Sequence, residues 1–190
     1  SAILSNAMEI GAINQNVAAT VKVGKLKREA EKIVVPDRAD LKAMIKAATD
    51  SERPFILTAI TTGLRSSELR GLRWQDIDLA AGTITVRQRA DQWGQIGPPK
   101  SEAGKRTIPI PPELVSELKA WKLRSPISRQ DLAFPSSTGT PLRHNNMLRR
   151  TFFPLQVRAG LGQPKLDAKG TPVLDEEGEA VLTGKYGFHT

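Results

Sequence analysis

Arg65 is the residue whose type and setting first suggest chemistry. It lies in the stretch TTGLRSSELRGLRWQDID, which runs over 61–78, just after Gly63 and Leu64. An arginine held on an exposed turn, beside the free N–H groups of a helix N-terminus, is a phosphate-binding arrangement. Two further groups of residues suit the same ligand. Lys22, Lys25, Lys27, Arg28 and Lys32 crowd into a segment with few large apolar side chains. That segment reads either as a solvated linker or as a basic strap along a phosphate backbone. Arg143, His144, Asn145, Asn146, Arg149 and Arg150 share the first turns of a helical candidate. There they fit contact with phosphates and base edges, or stand as a plain solvated face.

The elements that must position these residues follow from apolar spacing. Residues 53–62 read as a mostly apolar helix, and Gly63 supplies the positive φ of a left-handed cap. Ser66 and Ser67 are candidate N-caps for a short helix over 68–73. Leu69 and Leu72 share one face of it, and Gly71 allows close packing. Upstream, 2–11 reads as one amphipathic helix, the last piece of a preceding domain. A second helix opens at Pro36 and Asp37 and runs to about Ala48. After 76–78 comes a turn, and then clean β alternation over 83–88. A third strand over 106–110 contains Pro109, which argues for a sheet edge, and Lys100 sits near a hairpin tip. Further helices are expected over 111–123 and 142–160, the latter kinked or broken at Pro154. A hairpin over 165–185 has turn signals at Lys169-Gly170 and Glu177-Gly178. The predicted fold is mixed, mainly α with a small three-stranded antiparallel sheet. Trp74, Trp93 and Trp121 read as core or loop-packing residues, and Arg70 and Arg73 as helix-surface residues.

Composition narrows the chemistry. The 190 residues contain no cysteine, which excludes disulfides, cysteine zinc sites and thiol nucleophiles. The two histidines, His144 and His189, are too few for a histidine-rich metal site, and no metal is expected. The apolar runs are too short to span a bilayer, and the first residues do not read as a secretory leader, so a cytoplasmic location is expected. The formal net charge is +8. Residues 166–183 carry five carboxylates against one lysine, so the rest of the chain is more basic than that total. A basic body with one acidic excursion suggests a polyanionic partner, most simply nucleic acid. The acidic hairpin belongs away from such a partner, or against another subunit.

Taken together, these residues carry a family resemblance. Thr62-Gly63-Leu64-Arg65-Ser66-Ser67-Glu68-Leu69, followed by Trp74-Gln75-Asp76-Ile77-Asp78, resembles the first catalytic box of the tyrosine recombinases, the phage integrase family. Pro99-Lys100-Ser101 before Arg106-Thr107-Ile108-Pro109-Ile110 resembles the family's lysine-bearing β-hairpin and following strand. Phe134-Pro135 and the helix over 143–153 resemble the next segment. Tyr186-Gly187-Phe188-His189-Thr190 resembles the opening of the second box, His-x-x-Arg. The resemblance divides the chain into 1–20, the tail of a core-binding domain, 21–35, a basic linker, and 36–190, the first part of a catalytic domain incomplete at its C-terminus. The acidic insertion falls at about 165–184.

The resemblance implies roles. Arg65 would bind the non-bridging oxygens of the scissile phosphate. Glu68 would brace the site by pairing with a basic residue. Lys100 would protonate the leaving 5′ oxygen, with Lys105 a nearby competitor. His189 would assist proton transfer or phosphate binding. The nucleophile would be a tyrosine forming a 3′-phosphotyrosine. DNA contacts would come from Lys22, Lys25, Lys27, Arg28, Arg143, Asn145, Asn146, Arg149 and Arg150. The partners implied are double-stranded DNA and, for the full-length protein, a homotetramer on paired sites in a bacterial host. No cofactor, metal, membrane or small-molecule substrate is implied. The second-box arginine and the nucleophilic tyrosine have no counterpart here, and Tyr186 reads as a packing residue. The expectation is therefore a chain that binds DNA weakly and cleaves none. The alternative is a catalytically inactive DNA-binding module of the same fold.

Overall fold

A computed structural model describes residues 2–18 and 34–188. Lys22, Lys25, Lys27, Arg28 and His189 lie outside the described residues. Residues 1–34 and 35–190 form separate units. In the first, α1 (Ala2–Glu9) ends before Gly11, whose φ of +71° suits the chain reversal there.

In the second unit, Asp37 caps α2 (Arg38–Ala47) by accepting the Asp40 N–H at 2.9 Å. α3 (Arg53–Thr62) carries Pro54 in its first turn, where a missing N–H is tolerated, and Phe55, Ile56 and Thr58 are buried along it. Gly63 ends it in the left-handed conformation at φ +61°. Leu64 then folds into the core.

The next helix corrects two expectations. α4 spans Ser66–Arg70, so Ser66 and Ser67 lie inside it, buried, and are not its caps. Burial of Leu64 pulls the chain into the helix early, and the Glu68 carboxylate reaches back to take the Arg65 backbone N–H at 3.0 Å. α4 also ends at Arg70 rather than at Arg73. Gly71 there presses against the chain of residues 89–90: a Cβ on it would lie 2.7 Å from the Ala90 nitrogen. The absence of a side chain allows that approach.

β1 (Ile77–Asp78), β2 (Thr83–Val86) and β5 (Arg106–Pro109) make an antiparallel sheet in the order β1-β2-β5. Pro109 is on an edge strand, as its missing donor requires. Ile84 and Val86 point inward, while the Thr85 and Thr107 hydroxyls meet across the pair at 3.0 Å. Between β2 and β5 the chain makes a second ladder, β3 (Arg89–Ala90) with β4 (Ile96–Gly97). α5 (Pro112–Lys122) packs against α3 through Leu114, Leu118 and Trp121. Each fully buried leucine contributes about 1.5–3 kcal/mol. Trp121 donates its indole N–H to the Ala133 carbonyl at 2.7 Å, and Trp74 lies under the Lys122 ammonium. Trp93 departs from the packing expectation, since it is 70% exposed at a loop tip.

The helix expected over 142–160 forms as α6 (His144–Met147), a π-helical turn (Leu148–Phe152) and α7 (Phe153–Arg158). The wide turn ends two residues before Pro154, whose ring cannot sit against the carbonyl four residues back in regular helix.

The acidic excursion is more than one hairpin. β6 (Gly162–Pro164) and β7 (Leu182–Gly184) form its neck. Beyond it, two small hairpins close at the bridges Leu166↔Pro172 and Leu174↔Ala180. Three backbone bonds of 2.8 Å join the arms in a ring: Lys165 N–H to Val181, Val173 N–H to Lys165 and Val181 N–H to Val173. The sequence repeats to match, Leu166-Asp167-x-x-Gly170 and Leu174-Asp175-x-x-Gly178. Each aspartate accepts two loop N–H groups, and each glycine has positive φ. The loop amides that donate to Asp167 hold its carboxyl below the usual range.

Candidate active site

Arg65 enters this site as the residue that caps α4, with its side chain 61% exposed. Glu68, one turn on, is buried. Its Oε1 accepts from Arg65 Nη1 at 3.0 Å. Arg106, at the start of β5 and opposite Val86, completes the group: its Nη2 donates to Glu68 Oε2 at 2.8 Å and its Nη1 to Oε1 at 3.1 Å. Burial opposes ionisation of Glu68. The hydrogen bonds from Arg106 and then from Arg65 outweigh it and hold the carboxyl below its ordinary value. A buried carboxylate thus fixes two guanidiniums. Arg65 keeps most of its surface in solvent, where a planar fork of donors can take an oxyanion.

Arg65 shares a cleft of about 260 Å³ with Lys100, Arg89, Ser67, Pro99 and Gly104. Lys100 is exposed and follows the β3–β4 ladder. Lys105 is not among the residues lining this cleft. Lys100 also borders a second cleft, with Arg89, Gln92, Trp93 and His144. Among the described residues, the buried Nε of Arg89 has no hydrogen-bond partner. Arg89 and Arg106 both escaped the sequence reading. Each occurs in a β segment, where alternation with apolar neighbours marks a residue only as outward-facing.

Arg70 corrects its surface assignment, since it is 1% exposed. It donates to the carbonyls of Asp91 at 2.8 Å, Leu142 at 2.9 Å and Ala90 at 3.1 Å. It therefore ties α4 to the loop before Lys100 and to the chain entering α6. Arg73 is paired with Asp76 at 2.6 Å. His144 Nδ1 lies 3.1 Å from the Ser66 hydroxyl. Burial, and then the charge of Arg70, lower the His144 pKa and favour its neutral form.

Arg143, Asn145, Asn146, Arg149 and Arg150 are all exposed. Of these, Arg143, Asn146 and Arg150 line a groove with Ser136, Thr138 and Thr140. At the C-terminal side, Gln156 grips the Tyr186 backbone, accepting its N–H at 2.7 Å and donating to its carbonyl at 3.0 Å. Tyr186 itself is buried, with its hydroxyl donating to Asp40, as a packing residue should be. Phe188 stacks edge-on against Phe152, and Gly187 and Phe188 line an apolar cleft with Arg65. Among the described residues, no group of three or more His, Asp or Glu side chains is placed to hold a metal ion. No helix among them is long and apolar enough to cross a membrane.

Over 146 residues the chain is 34% identical to the putative prophage phiRv2 integrase of Mycobacterium tuberculosis (strain H37Rv), covering 73% of this chain and 38% of that protein. It is 28% identical over 134 residues to the tyrosine recombinase XerC of Xanthomonas campestris pv. campestris (strain B100), covering 68% and 37%. The chain thus spans well under half the length of these curated relatives. A solved structure of a Tn1549 transposon integrase variant, in complex with a circular intermediate DNA, shares the fold with a TM-score of 0.65 at 20% identity, over 83% of this chain and 54% of that one. The model of the phage integrase family matches residues 27–165, and the chain belongs to that family.

Proposed function

We propose that the chain is the first part of the catalytic domain of a site-specific DNA recombinase, which cuts and rejoins DNA through a 3′-phosphotyrosine. The observation that carries this reading is the shared cleft of Arg65 and Lys100, with Arg65 fixed through buried Glu68 to Arg106. In the proposed reaction Arg65 binds the non-bridging oxygens of the scissile phosphate. Their charge grows as the tyrosine oxygen, its proton released to solvent, attacks phosphorus, so a preset cation stabilises the transition state more than the ground state. The P–O5′ bond breaks as the P–O bond to tyrosine forms. The departing 5′ oxygen takes a proton from the Lys100 ammonium. Rejoining runs the same steps backward with another strand's 5′ hydroxyl. Glu68 and Arg106 are positioning residues: they hold Arg65 in place and touch no reacting atom. His189 assists proton transfer or phosphate binding, and the nucleophilic tyrosine comes from sequence beyond these residues.

DNA binding draws on the basic segment with Lys22, Lys25, Lys27 and Arg28, and on Arg143, Asn145, Asn146, Arg149 and Arg150. The full-length protein acts as a homotetramer on paired sites. No cofactor enters the scheme. The test uses the full-length recombinase and a nicked suicide duplex of its own site. Arg65→Ala is expected to abolish the covalent protein–DNA adduct while duplex binding persists, and Lys100→Ala to slow adduct formation. A duplex with a 5′-bridging sulfur at the cut, whose thiolate leaves without a proton, should restore cleavage by Lys100→Ala but not by Arg65→Ala. Adduct formation undiminished in Arg65→Ala would sink the assignment. Salt-sensitive binding with no adduct from the unaltered protein would favour the inactive DNA-binding module.

A further inference from the structure

We propose that Trp93 forms a base-stacking site beside the cleft, its indole lying against a nucleobase next to the bound phosphate; this rests on the DNA reading above. A single exposed apolar side chain needs no explanation in itself. Three features set Trp93 apart.

The first is rigidity. The loop that carries Trp93 is pinned at every turn. The Asp91 carboxylate accepts the Trp93 N–H at 2.8 Å and the Gln95 N–H at 2.9 Å. The Asp91 N–H donates to the Gln95 carbonyl at 2.9 Å, and Gly94, at φ +87°, closes the reversal. Buried Arg70 holds the Asp91 carbonyl. An indole on a fixed support loses little freedom when it stacks.

Position is the second. Trp93 borders two grooves. One is shared with Lys100, Arg89, Gln92 and His144. The other is shared with Gln95, Ile127, Arg129, Gln130 and Arg143. Trp93 therefore borders two cationic grooves, and one of them also contains the Lys100 of the cleft.

The third is chemistry. The Asp91 carboxylate in this loop accepts two of the loop's own N–H groups, and the cations Lys100, Arg89, Arg129 and Arg143 of the two grooves outnumber it. Arginine, lysine and glutamine around an aromatic face match a nucleotide strand, with cations for the backbone and a π surface for a base. A protein-docking patch would instead gather apolar neighbours around the indole. Here Ile127 is the one large exposed aliphatic residue of the two grooves.

The experiment compares the full chain with Trp93→Ala and Trp93→Phe on a fluorescein-labelled duplex, fully paired or carrying one central mismatch. An unpaired base stacks more readily, so the unaltered chain should bind the mismatched duplex more tightly. Trp93→Ala should weaken that binding by about fivefold or more and erase the preference, and Trp93→Phe should keep both. DNA should also shield tryptophan emission from acrylamide in the unaltered chain, and Trp93→Phe should lose that shielding. Affinity of Trp93→Ala within about twofold of the unaltered chain on both duplexes would overturn the stacking site. So would shielding that survives Trp93→Phe. If the unaltered chain bound neither duplex even at low salt, the DNA reading would fall with it. Binding that is salt-dependent yet indifferent to Trp93 sinks the stacking site alone.

Discussion

The cleft around Glu68 and the acidic excursion over 162–184 are built on opposite plans. Glu68 binds a partner 38 residues away, and Arg70 reaches across 20, 21 and 72 residues to three carbonyls. Their groups are buried, and each bond depends on several elements arriving together. The two small hairpins of the excursion are made of bonds between residues two to four apart and repeat one short pattern, and longer backbone bonds of the ring and neck close the arms. Almost all of the excursion's side chains are exposed. A site that must hold an arginine still is tied into the global fold. A surface appendage can be stable through local turns alone.

Breaking the long-range plan should have the largest effect. Arg70→Ala removes the donors to the Asp91, Leu142 and Ala90 carbonyls and leaves a cavity where a fully buried side chain stood. The expected loss is about 3–5 kcal/mol in a denaturant titration. A loss of less than about 1 kcal/mol would mean that water replaces the guanidinium cheaply and that the tie is dispensable.

Glu68→Gln comes next, at about 1–3 kcal/mol near neutral pH. It also carries a pH signature. The Glu68 carboxyl titrates below its ordinary value in the folded chain. Its contribution is therefore present above the ordinary carboxylate pKa of about 4.3 and is lost as pH falls through the lower folded value. Denaturant midpoints measured from neutral pH into acid should decline less steeply for Glu68→Gln than for the unaltered chain. Parallel curves would remove the Arg106–Glu68–Arg65 pairing from the stability of the fold.

The same contrast explains what could be read before the fold was known. α3, Gly63, the edge strand with Pro109 and the helix of α5 were legible because each is set by neighbours in sequence: an apolar period, a glycine cap, a proline. Arg65 and Lys100 were legible as types in a familiar pattern. Their shared cleft, and the pairing of Glu68 with Arg106, needed the β2–β5 register to bring residue 106 beside α4. Arg70 looked like a surface residue because its polar partners are backbone carbonyls, which sequence does not distinguish. The end of α4 was misread for the same reason, since the chain that Gly71 presses against is 18–19 residues away. The ring of the excursion was missed although its signal was local. The eight-residue spacing of Leu166-Asp167 and Leu174-Asp175 was open to inspection, and reading the turns singly hid it.

The smallest effect sharpens the comparison by making one substitution, glycine to alanine, in both regions. At Gly71 the φ is ordinary, −97°, but a Cβ would strike the backbone of Arg89 and Ala90. Backbone cannot swing aside as a side-chain end can, so about 1–3 kcal/mol of global stability should go. At Gly178 the relation is reversed. A Cβ there meets nothing within 4 Å, but the φ of +85° is strained for an L side chain. The cost of about 1 kcal/mol falls on one small hairpin, whose opening breaks no bond to the core. The global denaturation midpoint of Gly178→Ala should thus match the unaltered chain, while amide exchange rises at residues 175–179. If Gly178→Ala instead shifted the whole transition as far as Gly71→Ala, the excursion would be folding as one cooperative unit with the body. The separation between a globally tied cleft and a locally closed appendage would then be wrong.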